Sequence, residues 1–206
     1  MKKLLEMSIK KKIIIVVFSL VLIGVGKYVY DMNINHNFET ITEGKVYKSG
    51  VIPPDEIEEY VKKYNIKSIV DLRFPGTGDD VNNPEIPKEL TDEKNALAKI
   101  KGVTYFNNGS DQVPNQKNLD VFFKIMDDKN NYPVLIHCYH GVGRAEMYSA
   151  LYRIEYEKMN RDEARTSTRL LTKWSSFDLG KPKGDYLHNY ISRQEKHNLQ
   201  KNSNFN

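Results

Sequence analysis

Pro133-Val134-Leu135-Ile136-His137-Cys138-Tyr139-His140-Gly141-Val142-Gly143-Arg144 is the stretch on which the reading turns. An apolar run opened by Pro predicts a short buried strand. It delivers the only Cys of the chain to a loop with two glycines. Gly141 and Gly143 free the backbone to turn successive N–H groups inward, making a concave nest for an anion. A helix beginning at Arg144 aims its positive end at the same point, and the guanidinium adds a planar fork of donors that matches phosphate oxygens. A thiol in that field ionises readily, because such settings lower a Cys pKa into roughly the 3.5–7.5 range. Strand, nest and helix together place a nucleophile against a bound phosphate.

Outward from this stretch, short β-rich runs alternate with helical patterns. Strands are expected at Val46–Lys48, Lys67–Arg73 and Val103–Phe106. Helices are expected from Pro53 to Tyr64, near 88–100, on the apolar face Leu119, Phe122, Phe123 and Met126, and over 145–158, 162–173 and 184–196. A turn at Phe74–Gly78, a polar loop to Pro87 and a second loop from Asn107 to Pro114 connect them. The pattern predicts an α/β fold with a mainly parallel central sheet flanked by helices. The Asn-rich end from 197 to 206 reads as a frayed polar tail.

The chain has 206 residues and a net charge of +4. Residues 1–30 carry six Lys against Glu6, a net of +5, so the rest is at −1 and gives no footing for nucleic acid. Ile13 to Gly26 holds no charge, and Tyr28-Val29-Tyr30 extends the apolar character beyond Lys27. Residues 1–30 are thus either a signal peptide, cleaved near Gly24-Val25-Gly26, or a membrane anchor in which residues 13–30 contact the bilayer and Lys27 snorkels. A buried core helix is the third reading. The basic cluster before the apolar run predicts an exported body, tethered outside the cytoplasm or released. Residues 31–44 read as a linker and 45–196 as the catalytic domain.

The run His137-Cys138-(five residues)-Arg144 resembles the signature of the cysteine-dependent protein tyrosine and dual-specificity phosphatases. Val46-Tyr47-Lys48-Ser49-Gly50, Ile66–Arg73 and Ala150–Ile154 resemble the small bacterial dual-specificity-like members. The resemblance covers roughly residues 45–195. It implies hydrolysis of phosphate monoesters, on a phosphorylated protein or a small phosphorylated substrate, through a phosphocysteine on Cys138. It implies no cofactor and no metal. Arg144 and the loop residues Tyr139, His140, Gly141, Val142 and Gly143 would hold the phosphate. Asp111, in the loop before the helix that precedes the Cys strand, would be the general acid. His137 would orient Cys138 and its loop, while Asp71 and Arg73 would be structural.

One departure stands out. The family usually places Ser or Thr directly after the Arg, and here Ala145 follows. That hydroxyl assists thiolate departure when phosphocysteine is hydrolysed. A phosphate-binding pseudophosphatase with impaired turnover is therefore one alternative, and a phosphoinositide or inositol phosphate phosphatase is another. Thiol redox chemistry normally needs a resolving thiol, and the chain has one Cys.

Overall fold

The computed structural model describes residues 8–74 and 87–203. In chain order these form α1 (Ile9–Asn33), β1 (Glu39–Thr42), β2 (Val46–Ser49), α2 (Ile57–Tyr64), β3 (Ser68–Asp71), α3 (Pro87–Leu97) and β4 (Thr104–Asn107). There follow α4 (Gln116–Asp127), β5 (Val134–His137), α5 (Arg144–Tyr156), α6 (Arg161–Thr166), α7 (Pro182–His188) and α8 (Arg193–Ser203). The turn expected at 75–78 and the polar loop after it lie outside the described residues, as do the ends 1–7 and 204–206.

The sheet runs β1-β2-β5-β3-β4, and every pairing is parallel except that of β1 with β2. β5 is its middle strand and is buried along its whole length. Alternation along the strands divides the core in two. Val134 and Ile136 join Val46 and Val70 beneath α4 and α5, whereas Leu135 joins Tyr47 and Ile69 beneath α2 and α3. Leu119, Phe122, Phe123 and Met126 of α4 are all buried, as their spacing predicts, and Phe122 meets Tyr148 of α5 edge to face at 4.9 Å. Removing a side chain such as Leu135, 1% exposed, costs about 2–5 kcal/mol for Leu→Ala.

Three boundaries differ from the sequence reading. Residues 31–44 are no linker, because α1 continues to Asn33 and Glu39–Thr42 form an edge strand whose Glu39 lies 2.9 Å from Lys48 on β2. Helix 162–173 stops at Thr166, since Leu170 and Leu171 are exposed and have no core to bury into. Helix 184–196 is two helices, and the second runs through the expected tail to Ser203. Its start is a capping box: Ser192 N donates to Glu195 Oε2 (2.8 Å) and Glu195 N to Ser192 Oγ (3.2 Å).

α1 is one uninterrupted helix of 25 residues with a mean hydropathy of 2.3 over its most apolar stretch, and none of its residues is buried. It is therefore not a core helix. Lys27 Nζ pairs with Asp31 one turn onward, at 2.5 Å. After Asn33 the chain is tied to the body at once: Gly50 N donates to His36 O (2.7 Å), and Phe38 stacks on Tyr64 at 4.3 Å.

Candidate active site

Cys138 follows β5 directly and is 3% exposed. The next residues fold tightly onto the end of β2. Gly141 has φ +73°, and a Cβ there would stand 2.6 Å from Gly50 N and 2.7 Å from the Ser49 carbonyl carbon, so both conformation and space demand glycine. Val51 N donates to Tyr139 O at 2.9 Å and fixes the start of the loop. α5 begins at Arg144 with its axis aimed at this loop. The Arg144 guanidinium is held by the Leu72 carbonyl beyond β3, which accepts from Nη1 at 2.8 Å, and at 3.4 Å by the Ser110 carbonyl. Leu72 N in turn donates to His137 O at 2.9 Å, so nucleophile strand and arginine anchor share one backbone frame.

A cavity of about 180 Å³ opens over the thiol, lined from the loop by Cys138, His140, Val142, Gly143 and Arg144. Of the predicted phosphate-holding residues, these four after Cys138 reach it. Tyr139 and Gly141 do not. Tyr139 faces a separate hollow shared with Met32, Asn33 and His36, and Gly141 is spent on packing against β2. Asp111 is exposed and is not among the residues that line the cavity, whereas its chain neighbour Gln112 is.

The sequence reading missed Gln112, Arg169, Ser176 and Lys183, which complete the wall. Arg169 Nη2 donates to the Val142 carbonyl of the loop, and its guanidinium lies 4.8 Å from the Phe177 ring centroid. Lys183 Nζ lies 5.0 Å from the same ring and donates to Gln112 Oε1 at 2.8 Å. Burial, with Arg169 adding repulsion, lowers the Lys183 pKa to about 8, and burial also lowers that of Arg169. The basic residues of the segment 169–183 were the available signal, but no regular spacing marks them as one face.

Two buried ionic clusters brace the loop. On the α5 side Lys48, 1% exposed, lies 3.0 Å from Glu146 Oε1 and donates to Gly141 O at 3.5 Å. Burial raises the Glu146 pKa despite Lys48 beside it. On the opposite face Arg73 forks onto Asp71 (2.9 and 2.8 Å) and also bonds Glu93. His137 Nε2 lies 3.0 Å from Glu93 and 3.7 Å from Asp71. His137 thus turns away from the thiol toward carboxylates, and its ring makes no hydrogen bond to the loop among the described residues. Asp71, Glu93 and His137 are close enough together to ligate a metal ion. Arg73 places one positive charge against both carboxylates and protonated His137, its pKa raised by them, supplies the second, so the four groups balance as a salt-bridge cluster. Asp71 and Arg73 are both fully buried in this cluster.

Solved structures share this fold. The catalytic core of the PP-IP phosphatase SIW14 from S. cerevisiae superposes with a TM-score of 0.57 at 17% identity, covering 82% of this chain and 93% of that one. TpbA of P. aeruginosa gives 0.55 at 16% identity, covering 76% and 86%. Tk-PTP in its active form gives 0.52 at 19%, covering 75% and 97%. No curated protein matches. The family described as a DSP-PTPase phosphatase fused to NAD+ kinase matches residues 22–181, which include all five strands, the thiol loop and Arg169, and stop two residues before Lys183. With more than three quarters of its length inside that match, the chain belongs to this family of dual-specificity-type phosphatases.

Proposed function

We propose that this protein hydrolyses phosphate monoesters with Cys138 as nucleophile, from a position anchored in a membrane by α1. The observation that carries the reading is that Cys138 lines a small cavity together with Arg144 at the head of α5. The thiolate sulfur attacks phosphorus while Arg144 and the loop N–H groups hold the non-bridging oxygens. The bond from phosphorus to the leaving oxygen breaks, and Asp111 supplies that oxygen with a proton. Water then attacks the phosphocysteine, giving its proton back to Asp111 and releasing phosphate and thiolate.

A phosphotyrosine-type substrate suits the nest and the arginine. Arg169 and Lys183 favour a second reading, a substrate with another phosphate beside the one that is cleaved, because both cations line the cavity of a single thiol. SIW14, a PP-IP phosphatase, has that kind of substrate, whereas TpbA has been captured with phosphotyrosine.

The test is a panel of phosphotyrosine, phosphoserine, phosphoinositide and inositol polyphosphate, run with wild type and Cys138→Ser. Hydrolysis by the wild type and none by the variant is expected. Equal rates in both would refute the nucleophile. For topology, five Lys precede the apolar run and Lys27 alone lies near its far end. A reporter fused after Asn206 should be active outside the cytoplasm.

A further inference from the structure

The segment between α6 and α7 buries one large side chain and exposes four. Phe177 is fully buried beneath Arg169 and Lys183, while Leu170 is fully exposed, Trp174 is 79% exposed, and Leu171 and Leu179 are more than half exposed. Among the described residues after Asn35, eight large apolar side chains are exposed, and five of them are these four and Val142, whose carbonyl accepts from Arg169. The segment is held in shape. Trp174 has φ +65°, a conformation a bulky residue rarely adopts, and Asp178 Oδ2 fixes it by accepting from Trp174 N at 2.8 Å. Asp178 Oδ1 accepts from Leu179 N, and Asp185 Oδ1 accepts from Gly180 N. Lys173 lies against the Trp174 ring at 5.0 Å, and Lys181 follows. An ordered loop that displays Leu, Leu, Trp and Leu among lysines has the composition of a surface seated at the boundary of a bilayer.

α1 brings such a boundary close. A span of about 20 residues beginning after Lys12 ends near Met32. Met32 and Asn33 share a hollow with Tyr139 and His140 of the thiol loop, and Asn37 Nδ2 donates to His140 O at 3.2 Å. His140 also lines the catalytic cavity. The end of α1 and the apolar loop therefore flank the thiol loop on its two sides, the first at Tyr139–His140 and the second at Val142. We infer that Leu170, Leu171, Trp174 and Leu179 insert into the same membrane that holds α1, so that the catalytic cavity opens at the lipid surface. The lysines complement anionic headgroups. This rests on the proposal that α1 is a membrane anchor.

Trp174 is the single Trp of the chain and reports on this loop alone. The full-length protein is reconstituted in phosphatidylcholine–phosphatidylglycerol vesicles, its binding read by flotation and Trp174 by fluorescence. The expected result is blue-shifted emission that is lost when the lipids are brominated close to the headgroup. Leu170→Glu with Leu171→Glu should still float and still hydrolyse a soluble aryl phosphate, but with water-exposed, unquenched emission. Vesicle-bound wild type with water-exposed, unquenched Trp174 would overturn the inference and leave the anchor standing. Blue-shifted emission that bromine does not quench would assign the patch to protein, including a second copy of this chain, and would also overturn it. Failure to float would refute the anchor and the inference together.

Discussion

Lys183 Nζ donates to Gln112 Oε1 across 2.8 Å, bridging the start of α7 to the loop that carries Asp111. Both residues line the cavity, and the bond joins the cation absent from the loop signature to the segment expected to deliver the proton.

That lysine sets a pH limit. With its pKa lowered to about 8, Lys183 is charged below that pH and neutral above it. The charged form attracts a second phosphate, so kcat/KM for an inositol polyphosphate should fall as pH rises through about 8 in the free enzyme. Lys183→Arg should carry the plateau to higher pH, and Lys183→Met should lower it and remove the break. A pH–rate profile of the three proteins decides this.

Asp111 is exposed, as a group that must meet solvent in the second step can be. Asp111→Asn should slow hydrolysis of phosphotyrosine by about 10²–10⁴-fold, the usual range for a positioned acid, and an activated phenyl phosphate far less. Parallel losses on both substrates would move the proton donor elsewhere.

Ala145 is fully buried in the first turn of α5, its carbonyl accepting from Ser149 Oγ at 2.8 Å. With no hydroxyl at this position, phosphocysteine should accumulate. Mixing with excess aryl phosphate should release about one equivalent of phenol rapidly and then turn over slowly. A hydrogen bond to a charged group contributes about 1.5–3 kcal/mol, so Ala145→Ser should raise steady turnover by roughly 10- to 150-fold and shrink the burst. No burst in wild type would mean that another donor serves the sulfur. Ser49 Oγ is one candidate: it is buried and without a hydrogen-bond partner among the described residues, and the Ser49 backbone packs on Gly141 of the loop.

His137 links stability to pH. Burial alone would lower its pKa, but Glu93 and Asp71 beside it raise the value above the ordinary 6.5. The protonated ring therefore stabilises the fold fully below about pH 6.5, and that contribution is lost as pH rises through the raised value. Denaturation midpoints should decline over that window, and His137→Gln should flatten the decline. A midpoint that rises with pH there would contradict the assignment.

The sequence disclosed what is local and withheld what packing assembles. Cys138, Gly141, Gly143 and Arg144 lie within seven residues, and the strand before them is apolar on both faces, so the nest was legible directly. Lys183 falls in the stretch between two expected helices, and Arg169 inside the first of them, expected over 162–173. Because Leu170 and Leu171 point outward, that helix ends early and the chain loops back to the cavity. β1 escaped notice because a four-residue edge strand needs only one neighbour, and its alternation is too short to stand out. The side-chain direction of Tyr139, toward the hollow it shares with Met32, Asn33 and His36, was not legible, because adjacency in a tight loop does not say which way each side chain turns.

The nucleophile's strand is the last of the five to be synthesised and the middle one in space. β1–β2 on one side and β3–β4 on the other share no ladder until β5 enters between them. A chain that emerges N-terminus first therefore holds two unjoined half-sheets until about residue 137, and the step that joins them also brings the thiol into place. Any product ending before β5 lacks both the fold and the chemistry, so an incomplete copy has no means of acting on a phosphate.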